Sequence, residues 1–158
     1  ERMRRHYDPD EYFESLKKLR AIRPEVAITT DIIVGFPKET EEEWQETLAF
    51  AKKCRFSEIH VFPFSPRKGT YAATLPDLSP EIKKKRVHEL LSLSKEMRKE
   101  YEEAFYGKEL PVLFEEYDEE KQLAYGHTPN YLLVAKESKT DITSSIVSVV
   151  YTKKNALD

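Results

Sequence analysis

Residues 26–36 form the segment that most restricts the fold, because the sequence VAITTDIIVGF is rich in β-branched residues and has few polar interruptions. Such a run predicts a strand that is covered on both faces, as in a parallel sheet. A helical pattern lies on each side of it. Asp8 and Pro9 begin the first helix, and Thr40 with Glu43 forms a capping box for the second. The alternation of helix and strand favours βα units around a parallel sheet.

A second strand is predicted at residues 58–65, and a long helix follows after Ser79. Beyond Gly107 the helical pattern gives way to short strands between charged turns, predicted at 110–117, 122–126, 131–135 and 146–151. The sequence therefore predicts an α/β region over residues 1–106 and a small antiparallel β region over residues 107–158.

The α/β region is expected to be incomplete. Two parallel strands with three helices neither close a barrel nor complete a doubly wound sheet, since parallel sheets need more strands and cover on both faces. The chain also starts at Glu1, without Met and close to a helix. We therefore expect residues 1–106 to be part of a larger domain whose N-terminal portions are missing. The open sheet edge also favours self-association.

The composition excludes several classes of protein. A single cysteine, Cys54, among 158 residues allows neither an internal disulfide nor a metal site built from several thiolates. No apolar run approaches the roughly 18 residues that a membrane span needs, and we expect a cytoplasmic protein with no membrane partner. The chain carries 26 Lys and Arg against 29 Asp and Glu, so it is not a general polyanion binder.

Two segments carry a family resemblance. They are TTDIIVGFPKETEEEWQETLAF at residues 29–50 and HVFPFSPRKGTYAA at residues 60–73. Together with MRRHYDPDEY upstream, they resemble the C-terminal part of the radical SAM methylthiotransferases that modify tRNA, and among these the threonylcarbamoyladenosine-37 type. The later segments ELPVLFEE and AYGHTPNYLLV resemble the small RNA-binding TRAM domain of the same enzymes.

The resemblance implies a fold and an activity for a longer parent protein. The α/β region would be the C-terminal portion of a radical SAM barrel, and the β region a TRAM or OB-like domain. The parent would methylthiolate N6-threonylcarbamoyladenosine at position 37 of tRNA, using S-adenosylmethionine and two [4Fe–4S] clusters. This chain has neither cluster motif, so we expect it to be inactive alone, to retain no cofactor, and to contain no catalytic or metal-binding residue of its own.

The resemblance also assigns cofactor-binding residues along the two strands: Thr30, Asp31, Val34, Gly35, Phe62 and Ser65. Gly35 would let the nucleoside approach the backbone, although it is also an ordinary turn residue at the end of a strand. Asp31 would face either a ligand or a structural partner. Lys38 departs from the family pattern, in which Gly is common, and the tail after Asp141 matches the TRAM domain poorly.

RNA-binding residues are predicted in both regions: Arg67, Lys68, Tyr125, His127, Asn130 and Tyr131. Aromatic rings stack on bases, and basic groups bind phosphate. The tail itself is net acidic, so its affinity for RNA in isolation is expected to be weak. The basic run from Lys83 to Arg86 is expected to be a solvated helix face, and His60 and Cys54 are expected to be packing residues.

Two other functions are consistent with parts of the sequence. One is a non-catalytic RNA-binding module in which the α/β region serves as a scaffold. The other is a small-molecule α/β enzyme that binds phosphate at a strand end, but the sequence offers no nucleophile, base dyad or Gly-rich phosphate loop for it.

Overall fold

A computed structural model describes residues 3 and 8–157 of the chain. The basic start that carries part of the family resemblance, at residues 4–7, lies outside the described residues. The elements in chain order are α1 Pro9–Ile22, β1 Thr29–Val34, α2 Glu41–Cys54, β2 Glu58–Pro63, a short 3₁₀ helix Tyr71–Thr74, α3 Pro80–Glu103, β3 Glu109–Asp118, β4 Leu123–His127, β5 Leu133–Glu137 and β6 Ile146–Val150.

The chain divides into two compact units, the first ending at Arg98 and the second beginning at Lys99. The division lies within α3 and before the change of pattern at Gly107, because Phe105 already belongs to the core of the second unit. An α/β unit with a parallel sheet is thus followed by a separate antiparallel β unit, which confirms the predicted fold class.

In the first unit, α1 and α2 begin at the residues that the sequence predicts. The Asp8 carboxylate accepts a hydrogen bond from the Glu11 amide at 2.9 Å and caps α1. The Thr40 hydroxyl accepts from the Glu43 amide at 3.2 Å, and the Glu43 carboxylate accepts from the Thr40 amide at 3.0 Å. These reciprocal bonds satisfy two amides that the first turn of α2 leaves without a helical partner. Both helix starts are therefore set by local sequence.

The two parallel strands pair from Thr29 opposite Glu58 to Val34 opposite Pro63. One face of this sheet packs against the helices and contributes Val34 and Ile59 to a core around Trp44. The predicted cover on both faces is wrong for the residues that the structure describes. Asp31 and Ile33 are exposed on the other face, because helices from this part of the chain pack on one side of the sheet alone.

The lone thiol lies in this first core. Cys54 is fully buried at the end of α2, and burial raises the pKa of its thiol above the ordinary range. The Arg20 guanidinium donates to the Cys54 and Arg55 carbonyls at 2.7 and 2.9 Å, so the end of α2 is held by a side chain of α1. The prediction that Cys54 is a packing residue is confirmed.

The second unit is a four-stranded antiparallel sheet in the order β5-β4-β3-β6. One face of the sheet buries Val112, Phe114, Ala124 and Val134 in a core that Phe105 completes from the chain segment before it. No helix among the described residues is long and apolar enough to cross a lipid bilayer.

Candidate functional site

Two loops leave the carboxyl ends of the parallel strands, which is where α/β folds place their ligand sites. The β1–α2 loop comprises residues 35–40, and the β2–α3 loop comprises residues 64–79. Both loops contact side chains from the first turns of α3. Lys83 and Arg86 are three residues apart on that helix, so they lie on the same face.

The β1–α2 loop is organised by Glu39. Its carboxylate accepts a hydrogen bond from the Gly35 amide at 3.1 Å, and its own amide donates to the Phe36 carbonyl at 2.9 Å. Gly35 has a φ of 73°, and Lys38, which departs from the family pattern, has a φ of 64°. The loop therefore has a left-handed residue at position 38, a conformation that glycine adopts more readily than lysine.

Arg86 holds this loop from α3. Its Nη1 donates to the Glu39 carboxylate at 2.6 Å, and its Nη2 donates to the Thr40 carbonyl at 3.1 Å. The Arg86 side chain is 4% exposed and lies over the Trp44 ring, 5.7 Å from its centroid. A buried ion pair with additional carbonyl contacts gives the loop one preferred geometry.

Lys83 holds the other loop. Its ammonium donates to the Phe64 carbonyl at 3.0 Å and to the Asp77 carboxylate at 2.6 Å. The expectation of a solvated face is therefore wrong for Lys83 and Arg86, although Lys84 and Lys85 are exposed. The side chains of four consecutive helical residues point in different directions. Here those of Lys83 and Arg86 point at the strand ends.

The predicted cofactor residues do not share one surface. Val34 faces the helices and is fully buried, and Thr30 points to the same side by alternation. Asp31 and Phe62 are exposed on the open face of the sheet, and Ser65 is exposed in the β2–α3 loop.

Gly35 is also covered. A Cβ at this position would lie 2.7 Å from Cγ of Lys83, so methylene groups fill the space next to the glycine. The absence of a side chain at Gly35 therefore lets the Lys83 side chain pack against the backbone there. The assignment of these residues to a cofactor stays a prediction.

The open face also carries two residues, Ile33 and His60, that the predicted cofactor set left out. Ile33 lies opposite Phe62 in the sheet, and the two side chains are 41% and 50% exposed. Asp31 lies opposite His60, which is exposed, so the expectation that His60 is a packing residue is wrong. Alternation from Asp31 already places Ile33 on this face. The strand register shows that Phe62 and His60 lie beside them.

A groove of about 980 Å³ runs beside β1 and contains Thr30 and Asp31 together with the aromatic side chain of Phe36. Glu39 and Glu43 also line it. Carboxylates on its wall disfavour a phosphate ligand, which weakens the alternative of a phosphate-binding enzyme.

Two groups of predicted RNA-binding residues lie in different units. Arg67 and Lys68 are exposed in the β2–α3 loop of the first unit. In the second unit, Tyr125 is half-buried on β4, and His127 follows on the same face two residues later. The His127 Nδ1 lies 2.5 Å from the Glu115 carboxylate, so this imidazole has an acidic neighbour.

The loop between β4 and β5 is built from side-chain hydrogen bonds. The Asn130 amide group donates to the Tyr101 hydroxyl at 2.9 Å, and its carbonyl oxygen accepts from the Thr128 hydroxyl at 2.7 Å. Tyr131 follows with a φ of 61° and is 71% exposed. Asn130 therefore supports the loop from within, whereas Tyr131 presents its side chain at the surface.

The described residues do not bring three or more His, Cys, Asp or Glu side chains together as a metal site. A [4Fe–4S] cluster is held by several cysteine thiolates, and the one thiol of this chain is buried in a core. The residues present do not fit a cluster.

Parts of this chain are similar to known proteins. Residues 1–51 match the model of the Radical SAM superfamily. The chain is 43% identical over 152 residues to the threonylcarbamoyladenosine tRNA methylthiotransferase of Bacillus subtilis, covering 94% of this chain and 34% of the relative. It is 38% identical over 149 residues to a tRNA-2-methylthio-N(6)-dimethylallyladenosine synthase of Syntrophotalea carbinolica. That alignment covers 93% of this chain and 34% of the relative.

A synthase of the same name from Pelobacter propionicus is 44% identical over 115 residues, which cover 72% of this chain and 26% of the relative. The chain thus resembles tRNA methylthiotransferases over both of its units. It spans about a third of the length of the relatives from Bacillus subtilis and Syntrophotalea carbinolica.

Proposed function

We propose that this chain forms the C-terminal part of a radical SAM methylthiotransferase that modifies tRNA. The observation that carries the proposal is the similarity at 43% identity over 152 residues, which extends across both units, to an enzyme named for this reaction. The two strand-end loops held by α3 support it, since ligand sites in parallel α/β folds lie at that end.

The proposed substrate is tRNA that carries threonylcarbamoyladenosine next to the anticodon. The residues of the first unit resemble that type, and the relative from Bacillus subtilis bears that name. Relatives named for dimethylallyladenosine are 37% identical over 159 residues, 38% over 149 and 44% over 115. The identity of the modified base is therefore the part of the proposal that an experiment has to decide.

The proposed cofactor is S-adenosylmethionine, bound partly by this chain. Ile33 and Phe62 are adjacent apolar side chains near the carboxyl ends of the strands, and a purine ring fits such a surface. Asp31 on the same face offers a carboxylate to a ribose hydroxyl. The [4Fe–4S] clusters, which supply the radical chemistry in this family, would be held by residues outside this chain.

The proposed role of the second unit is to bind tRNA, which also accords with a cytoplasmic location. From Lys99 onward the chain carries seven basic and twelve acidic side chains, so attraction to phosphate contributes little here. The exposed Tyr131 on a hydrogen-bonded loop offers a ring for stacking instead. A non-catalytic RNA-binding module would share this feature but would not support methylthiolation.

A chimera tests the proposed activity. The matching segment of the Bacillus subtilis enzyme is replaced by this chain, and the chimera is produced in cells that lack the native enzyme. We expect mass spectrometry of tRNA nucleosides to detect methylthiolated threonylcarbamoyladenosine, because both units would fill their places in the whole enzyme. The unaltered enzyme and an empty plasmid serve as controls.

Two outcomes contradict the proposal. A chimera that is soluble and retains its iron but forms no methylthiolated nucleoside contradicts the activity. A chimera that modifies dimethylallyladenosine in place of threonylcarbamoyladenosine contradicts the substrate while leaving the reaction class intact.

A second prediction concerns Tyr131 in the same chimera. The substitution Tyr131→Asn removes the ring, and asparagine tolerates the left-handed conformation found there. We expect tRNA binding to weaken by about 5-fold to 150-fold, since stacking contributes roughly 1–3 kcal/mol per base. The melting temperature should stay the same or rise, and Tyr131→Phe should bind tRNA normally. Unchanged affinity in the folded Asn variant would exclude Tyr131 from the tRNA interface.

A further inference from the structure

We propose that Lys83 is a positioning residue, which fixes the β2–α3 loop and joins it to the β1–α2 loop. Its importance for catalysis rests on the proposed function, but the positioning itself is a property of this chain. The ammonium of Lys83 binds the Phe64 carbonyl at the start of the β2–α3 loop and the Asp77 carboxylate near the end of it. One charged group thus ties together two points that are thirteen residues apart.

At its start the β2–α3 loop is also held by the Phe64 amide, which donates to the Val34 carbonyl at 2.8 Å, but the backbone hydrogen bonds further along the loop are local. The Thr70, Ala73 and Leu75 amides each donate to a carbonyl three residues earlier in the chain. Such bonds form a 3₁₀ turn but do not attach it to the rest of the fold. Arg67 and Lys68 lie in this loop, so their location depends on how its ends are held. The Lys83 ammonium reduces the number of conformations that the loop can adopt, because it binds both ends of the loop.

The environment of Lys83 differs from that of its neighbours. Its side chain is 13% exposed, whereas Lys84 and Lys85 are exposed. A lysine loses much side-chain freedom when it is held in one place, so its contacts have to compensate for that loss. Two hydrogen bonds from a charged group and a position 5.3 Å from the Phe64 ring centroid supply those contacts.

The stem of Lys83 connects the two loops. Its methylene groups occupy the space that a side chain at Gly35 would need. Next to this contact, the Phe36 and Phe64 rings meet edge to face with centroids 5.3 Å apart. The two loops therefore meet through a lysine stem and an aromatic pair. A displacement of Lys83 would release the Asp77 end of the β2–α3 loop, while the Phe64 amide would stay bonded to the Val34 carbonyl at the end of β1.

Hydrogen exchange on the whole chain tests this role without requiring activity. In Lys83→Met, which keeps a long apolar stem, we expect the Thr70, Ala73 and Leu75 amides to exchange roughly tenfold faster or more, as for the loss of hydrogen bonds to a charged group. Amides of β3 and β4 should not change. Lys84→Met is the matched control and should exchange like the wild type.

A second variant keeps the proposal testable if Lys83→Met does not fold. Asp77→Asn removes the carboxylate and leaves Lys83 in place, and it should accelerate the same three amides to a smaller extent. Unchanged exchange in a folded Lys83→Met or Asp77→Asn variant would overturn the proposal. A uniform acceleration across the first unit would also overturn it, because it would assign Lys83 to general stability. A failed chimera together with the expected exchange would contradict the proposed function alone.

Discussion

The substitution Gly126→Ala is expected to unfold the second unit. A Cβ at this position would lie 2.1 Å from the Leu113 carbonyl oxygen and 2.7 Å from the Phe114 Cα. Both are backbone atoms of β3, and β3 cannot move away without losing its pairing with β4 or β6. Overpacking usually costs about 1–3 kcal/mol, and a clash with paired backbone belongs at or above the top of that range.

Two measurements separate the units in this experiment. Trp44, the one tryptophan of the chain, reports on the first unit, and its fluorescence transition should remain. NMR shift dispersion from residues 109–150 should be lost, whereas the far-ultraviolet circular dichroism of the helices in the first unit should remain. Gly107→Ala is the control, since a Cβ there would meet nothing within 4 Å and only the φ of 83° would be strained. A Gly126→Ala variant that unfolds like the wild type would contradict the prediction.

The substitution Arg86→Met is expected to give the largest loss of stability in the first unit. It leaves the Glu39 carboxylate, which is 13% exposed, without its cationic partner. Removing one partner of a buried ion pair costs about 3–5 kcal/mol, because the remaining charge is then poorly solvated. The midpoint of urea unfolding, followed by Trp44 fluorescence, should decrease accordingly.

Two further variants identify the cause of the Arg86 effect. Glu39→Gln combined with Arg86→Met removes both charges, so the double variant should be more stable than Arg86→Met alone. Lys85→Met, an exposed change on the same helix, should alter the free energy of unfolding by less than about 0.5 kcal/mol. Equal midpoints for Arg86→Met and Lys85→Met would show that the pair adds nothing to stability.

Local features of the fold were predictable from the sequence. The caps at Asp8 and Thr40 are short-range patterns, and they begin helices where the sequence indicates. The change to short strands after Gly107 is also visible in the composition of that segment. These predictions succeed because the interactions behind them connect residues within one turn or one strand.

The candidate site was less predictable, because it depends on contacts between distant segments. The register that places Ile33 beside Phe62 joins strands 29 residues apart, and periodicity does not show it. Lys83 and Arg86 belong to a basic run that is typical of an exposed surface. Only the return of α3 across the strand ends places them at the loops. The clash at Gly126 similarly depends on the pairing of Phe114 with Gly126.

The last turn of α3 bears on how the β unit could be transferred to another protein by gene fusion. Tyr101 contacts the Phe105 ring at a centroid distance of 5.0 Å, and its hydroxyl donates to the Asn130 carbonyl at 3.1 Å. Tyr101, Phe105 and Tyr106 are thus part of the core of the β unit, although they precede its first strand. A gene fusion that transferred the sheet alone would leave part of this core behind. We therefore expect a fusion that starts near Lys99, inside the helix, to keep the core of the β unit, and one that starts after Gly107 to lose stability.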